Sequence, residues 1–292
     1  MKTAILTDTN SGISAEEART LGIYVMPMPV IIDDETFYEG QNLTEEQFYE
    51  ALTSDRKVTT SQPSPGDLLD KWDSLLADGF EQIVYIPMSS GLSNSCHAAS
   101  GFAEDYDGRV HVADNHRISV TLRESALMAK RLADLGKTGA EIKDALERDA
   151  FRSTIYISVN TLDYLKKGGR ITAAAAMLGT VLNIKPILTI QGEKLDSFSK
   201  ARSMKKCESR MIEAIQSDLE KRFPDVALNQ VHIGAAGAGL TMEEQQEWVN
   251  ALKQAFPDAD VYYNPLSASI GCHTGPGAVG VGVSFDTPAQ SL

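Results

Sequence analysis

A chain of 292 residues is long enough for one large domain or two ordinary ones. Its composition, 42% hydrophobic and 23% charged with no low-complexity tract, is that of a soluble globular protein. A net charge of −13 repels phosphate backbones and anionic lipid, which argues against a nucleic-acid-binding role and against stable membrane insertion.

The first half alternates strand and helix. Residues 4–8 are a short apolar run, followed by a helix from about Ser14 with Glu16 and Glu17 in its first turn, where the helix dipole favours acids. Residues 23–32 read as one continuous buried strand. A helix follows the cap at Thr44. Another follows Ser64, with Pro65 at its first position and Asp67 three residues after the cap. Strands are expected at 82–88 and 109–113, and helices from Ser93 and near 120–134 and 138–149. This pattern predicts a mostly parallel sheet covered on both faces.

The second half differs. A strand is expected at 154–159, then a helical stretch leading to Lys166-Lys167-Gly168-Gly169-Arg170, then an apolar helix over 173–182. Two strands, 184–190 and 195–201, flank the hairpin signal Gln191-Gly192-Glu193-Lys194. A long amphipathic helix near 203–222 precedes a strand at 230–235, a helix from Thr241, a strand at 260–263 and a glycine-rich strand at 279–285. The expected fold is α/β with two domains. Residues 1–152 form a three-layer α/β/α domain with a mostly parallel sheet, and residues 153–292 form an α/β domain with a mixed sheet.

Cys96, Cys207 and Cys272 are an odd, sparse set without C-x-x-C spacing, which disfavours a disulfide frame and structural zinc. The first eight residues show no readable signal peptide, so a cytoplasmic location is expected. The longest apolar stretch, 171–190, is broken by Asn183 and Lys185-Pro186, which suits a buried helix and a strand better than a membrane span.

Three polar loops carry the chemistry. Ser89-Ser90-Gly91-Leu92-Ser93-Asn94-Ser95 places Ser93 between a strand and a helix, where open α/β sheets bind ligands. Ser93 is there either an ordinary cap or an anion-binding hydroxyl. It also falls one residue short of a G-x-S-x-G nucleophile elbow, since Ser95 stands where glycine closes that turn. Thr60 and Ser61 lie upstream of the Pro63-Ser64-Pro65 cap, with hydroxyls left to point elsewhere. The third loop runs from Gly271 to Gly280 around His273 and Thr274. Its G-x-G-x-x-G match precedes a strand, so it is no dinucleotide fingerprint. Hydroxyls, backbone N–H groups and one histidine, with no carboxylate or lysine among them, are equipment for holding a small anion. Neither a Walker sequence nor H-E-x-x-H is present, and acids such as Asp33 and Asp34 are scattered, so no metal site or cofactor is expected.

Taken in order, these segments resemble the DegV family over nearly the whole chain. Thr7-Asp8-Thr9 with Ser11 resembles its T-D-S-T/S opening. Thr60-Ser61-Gln62-Pro63 matches T-S-Q-P, and Ser89-Ser90-Gly91-Leu92-Ser93 matches S-S-x-L-S before Asn94-Ser95 replaces Gly-Thr. Lys167-Gly168-Gly169-Arg170-Ile171 matches K-G-G-R-I, Ala201-Arg202-Ser203 resembles A-R-T, and His273-Thr274-Gly275-Pro276-Gly277 matches H-T-G-P-G. The resemblance implies a lipid-binding, non-catalytic subunit of a bacterial fatty acid kinase serving phospholipid metabolism. Such a subunit binds one long-chain fatty acid and presents its carboxylate to a separate kinase catalytic subunit that uses ATP. At the matched positions Thr60, Ser61, Ser93, Asn94, His273 and Thr274 would hold the carboxylate. Arg170 and Arg202 would serve phosphotransfer or kinase docking.

The physics fits a fatty acid. Burying its methylenes at about 0.8 kcal/mol each supplies on the order of 10 kcal/mol gross for a long chain. The run from Ile171 through Ala176 and Met177 to Val181, with Leu178 and Leu182, is expected to line the acyl slot. A protonated His273 would add charge at the polar end. Two other readings stay open: a serine esterase using Ser93 and His273, and a phosphotransfer subunit for a small polar substrate.

Overall fold

The computed structural model describes residues 2–177 and 184–285. Strand β1 (Thr3–Asp8) is wholly buried and leads to α1 (Ala15–Leu21), whose cap Ser14 accepts the Glu17 N–H. β2 (Tyr24–Met26) follows, then β3 (Pro29–Ile32) and β4 (Glu35–Tyr38). The capping box Thr44/Gln47 starts α2 (Glu45–Thr53), which leads to β5 (Val58–Thr60). Ser64 caps α3 (Pro65–Ala77), with Pro65 in its first turn. Next come β6 (Gln82–Ile86), α4 (Ser95–Ala103), β7 (Val110–Val112), α5 (Ser119–Asp134) and α6 (Gly139–Arg148).

The remainder comprises β8 (Thr154–Ser158), α7 (Asp163–Gly168), the short α8 (Ala173–Ala176), β9 (Lys185–Ile190), β10 (Asp196–Ala201) and α9 (Met204–Lys221). It ends with β11 (Val231–Gly237), α10 (Met242–Ala255), β12 (Asp260–Pro265), α11 (Ala268–Thr274) and β13 (Val279–Phe285).

Three sheets result. The first, in the order β2-β1-β6-β7, is parallel throughout. One of its faces buries Leu68, Trp72 and Leu75 of α3 with Cys96 and Ala99 of α4; α5 and α6 cover the other. This is the expected three-layer α/β/α arrangement. The second sheet, β10-β9-β8-β13-β11-β12, is mixed, with β11–β12 as its parallel pair. Helices α9 and α10 cover its outer face, where Trp248 donates its indole N–H to Gly280 O at 2.8 Å. α5 packs on β1 of the first sheet and on β11 and β13 of the second, so one apolar core runs through both units.

The third sheet, β4-β3-β5, corrects the single strand expected over 23–32. Pro27 has no N–H to donate, so the chain leaves the parallel sheet after Met26 and re-forms as an antiparallel flap. A second correction concerns residues 271–274, expected as loop. They close helix α11, which is capped by Ser267, whose hydroxyl accepts the Ile270 N–H at 3.3 Å. Within the stretch expected as helix at 173–182, Leu178, Val181 and Leu182 lie outside the described residues.

Candidate functional site

Between the two units lies a cavity lined by residues of both. Its walls are largely apolar. Ile155 and Ile157 of β8, Ile190 of β9 and Ala236 of β11 face it from the mixed sheet. Met88 and Leu92 close it from the serine loop. The β9–β10 hairpin is held over that loop by Ser89, whose hydroxyl donates to Gly192 O.

The small residues of β11 and β13 shape the floor. Ala236 pairs with Gly280, and both line the cavity. The neighbouring pair, Gly234 and Gly282, is covered by Val120. A Cβ added at Gly234 would sit 2.4 Å from the Val120 Cβ, and one at Gly282 would sit 2.5 Å from its Cγ2. Val120 therefore fills a glycine trough and ends the open space there.

Polar groups converge where the flap, α11 and the α7 turn meet. Thr60 ends β5, and His273 lies in the last turn of α11. The Thr60 Oγ1 to His273 Nε2 distance is 3.0 Å. Gly168 makes room for the ring, because a Cβ there would fall 2.1 Å from His273 Nδ1. Gly169 then takes φ 70°, which favours glycine and reverses the chain so that Arg170 folds back. Arg170 Nε donates to Leu92 O at 3.3 Å, and its terminal nitrogen donates to Gly168 O. The K-G-G-R segment thus seats the imidazole and the guanidinium side by side.

Two further contacts hold this frame. The buried Asp8 carboxylate accepts the backbone N–H groups of Met88 at 2.8 Å and Asn10 at 2.9 Å, tying the first strand to the start of the serine loop. Burial raises its pKa to about 6 despite those bonds. Glu39 accepts the Ala268 N–H at 2.8 Å, joining the flap to the start of α11, and desolvation holds its pKa above the ordinary carboxylate value.

Among the described residues lining the cavity, Arg170 is the one Lys or Arg side chain, and no carboxylate is present. Burial, then the Arg170 charge, lowers the His273 pKa to about 4. His273 is therefore neutral at neutral pH when the site is unliganded, which corrects the expectation of a protonated ring. With its proton on Nε2 the ring donates to Thr60 and frees the threonine hydroxyl to donate into the cavity. Positive charge at this end comes from Arg170.

Thr60, Ser61, Ser93, His273 and Thr274 line the cavity with Arg170. The Ser93 hydroxyl accepts the Ser95 N–H at 3.2 Å, and Thr274 donates to Ile270 O at 3.3 Å. Ser61 is exposed, so this polar end reaches the surface. Asn94 is exposed at the start of α4, outside the lining, and makes no side-chain cap. Arg202 is likewise exposed and outside it. The described residues of the expected acyl wall lie outside the lining too. Ile171 packs against the core beside the slot, Ala176 does not line it, and Met177 is 74% exposed. Val181 lies outside the described residues. The alanine run turns its buried residue, Ala175, into the core, and the strands of the mixed sheet supply the wall.

Asn10, Ser119 and Ser269 also line the cavity, and sequence reasoning missed them. The Thr7-Asp8-Thr9 motif pointed towards Asn10. Ser119 and Ser269 sit in ordinary helix-start contexts that carry no separate signal.

No Ser–His–carboxylate set is assembled among the described residues that line the cavity. His273 Nε2 bonds Thr60, and among the described residues no carboxylate orients the ring. No described group of His, Cys, Asp and Glu could hold a metal ion, and no described helix is long and apolar enough to cross a membrane. The arrangement suits an anionic head with a long apolar tail.

Comparison with known proteins gives the same picture. Residues 2–286 match the family described as "Uncharacterised protein, DegV family". A DegV domain-containing protein of Streptomyces coelicolor is 33% identical over 96% of this chain and 98% of its own length. Protein DegV of Bacillus subtilis is 29% identical over 96% and 98%. A Thermus thermophilus structure, described as fatty acid binding of a DegV family protein, superposes with a TM-score of 0.86 at 28% identity, covering 98% of this chain and 100% of that one. The crystal structure of Bacillus subtilis DegV, described as a fatty acid binding protein, superposes at 0.85 with 28% identity and the same coverage.

Proposed function

The chain belongs to the DegV family, and on that premise we propose that it binds one long-chain fatty acid and presents its carboxylate to a separate ATP-dependent kinase. The supporting observation is the division of one cavity into an apolar slot and a single cationic, hydroxyl-rich end that reaches the surface at Ser61. Thr60, Ser93, His273 and Arg170 replace the water around the carboxylate, with Ser61 and Thr274 beside them. The strands of the mixed sheet take the acyl chain.

Placing the carboxylate at the surface end leaves it accessible to a phosphoryl donor held by another protein. Arg202, exposed and away from the slot, is available for docking that partner. In this reading the chain breaks and forms no covalent bond; the kinase does. The test is acyl-phosphate formation from labelled ATP and hexadecanoic acid by a bacterial fatty acid kinase catalytic subunit, trapped with hydroxylamine. Formation that needs this chain supports the carrier role. Equal formation without it removes the role.

A further inference from the structure

Two hydroxyls in the slot have no protein partner among the described residues. Ser119 is 8% exposed and Ser269 is 7% exposed, and both line the cavity. Neither side-chain oxygen has a hydrogen-bond partner among the described residues, whereas Ser11, Ser89, Ser158 and Ser267 nearby all donate to one. Both face the open cavity, where water serves them until an acyl chain fills the slot, and a chain that offers no polar group there leaves them unpaired.

Their surroundings are polar in the same sense. Ser119 is the first residue of the 16-residue helix α5, whose cap, Ile118, offers no side-chain bond, so the first-turn N–H groups lack a side-chain acceptor. The Thr9–Ser11 turn packs against both α5 and α11, which brings Asn10 between the two serines' helices. Asn10 lines the cavity, and its amide donates to the Met88 sulfur at 3.1 Å, a weak acceptor. Ser269 lies four residues before His273 on the same face of α11, about one turn deeper than the carboxylate end.

We infer that Ser119, Ser269 and the amino end of α5 form a second polar station inside the slot, which recognises a hydroxyl group carried on the carboxyl-proximal half of an acyl chain. The inference rests on the fatty-acid reading above and narrows its ligand class to hydroxylated acids. A plain hydrocarbon chain would shed water from both serines and return no hydrogen bond. A hydroxyl at the right carbon donates to one serine and accepts from the other or from the α5 N–H groups.

The test is a calorimetric titration with hexadecanoic acid and with its monohydroxylated isomers, the hydroxyl moved stepwise along the chain. One isomer with the hydroxyl in the carboxyl-proximal half should bind about fivefold tighter than the parent acid, the value of one net hydrogen bond. In Ser119→Ala and in Ser269→Ala the ratio of the two affinities should fall to about one. Binding of the parent acid with no isomer preferred would overturn the second station and leave the carrier reading standing. A preference that survives both substitutions would overturn it as well. Failure of every acid to bind would instead remove the reading on which it rests.

Discussion

Replacing Val120 by alanine should lengthen the slot. Val120 is 2% exposed and covers the trough left by Gly234 and Gly282, where added Cβ atoms would meet it at 2.4 and 2.5 Å. Removing its two methyl groups joins the trough to the cavity already floored by Ala236 and Gly280. Lost burial and the new void should cost the unliganded protein roughly 1.5–3 kcal/mol. Each additional methylene that enters the extension returns about 0.8 kcal/mol, about a fourfold gain in affinity. Competition among saturated acids from tetradecanoic to eicosanoic should therefore peak one or two carbons longer in Val120→Ala than in the wild type. Part of the lost thermal stability should return when the longer acid is added. An unchanged optimum with a simple loss of stability would refute Val120 as the end of the slot.

Gly168→Ala should force the His273 ring out of its seat, given the 2.1 Å approach, and weaken fatty acid binding by about tenfold; a titration of the purified variant checks this. His273 should titrate near pH 4 by NMR in the empty protein and higher once a carboxylate lies beside it, because an opposite charge favours the imidazolium. Its folded pKa is below the unfolded value of 6.5, so its contribution is intact above pH 6.5 and is lost as pH falls through 4. The gap in unfolding free energy between wild type and His273→Gln should narrow by at most about 3 kcal/mol over that window. Ala176→Phe should leave the chain-length optimum unchanged, because Ala176 does not line the slot; a shortened optimum would return the α8 segment to the acyl wall.

Helix starts were legible residue by residue. Ser14, Thr44, Ser64, Thr138 and Thr241 each accept an N–H three residues on, as their positions predict. Strands of the mixed sheet were legible as apolar runs, including the hairpin across Gln191–Lys194. Their inner face was not, because an apolar residue facing a helix and one facing a ligand slot look alike in sequence. Nothing in the sequence sets Ile155, Ile157 and Ile190 above the alanine run, whose small side chains suggest room. Helix α11 was hidden by Gly271 and Gly275, which read as loop. A Cβ at Gly271 would sit 3.0 and 3.1 Å from the Tyr49 hydroxyl and the Phe48 ring, a tight fit against α2. The antiparallel flap was hidden because its departure hangs on Pro27 alone. The polar residues that meet at the mouth were found because hydroxyls at strand ends and helix starts are local features. The closeness of Arg170 to them depends on Gly168 and Gly169 folding the chain back.

The most direct test of the account is to purify the protein from cells, denature it, extract it with organic solvent and weigh the extract by mass spectrometry. About one equivalent of a long-chain fatty acid per chain is the predicted result. Folded protein yielding no lipid, and taking up none when fatty acid is supplied, would contradict it.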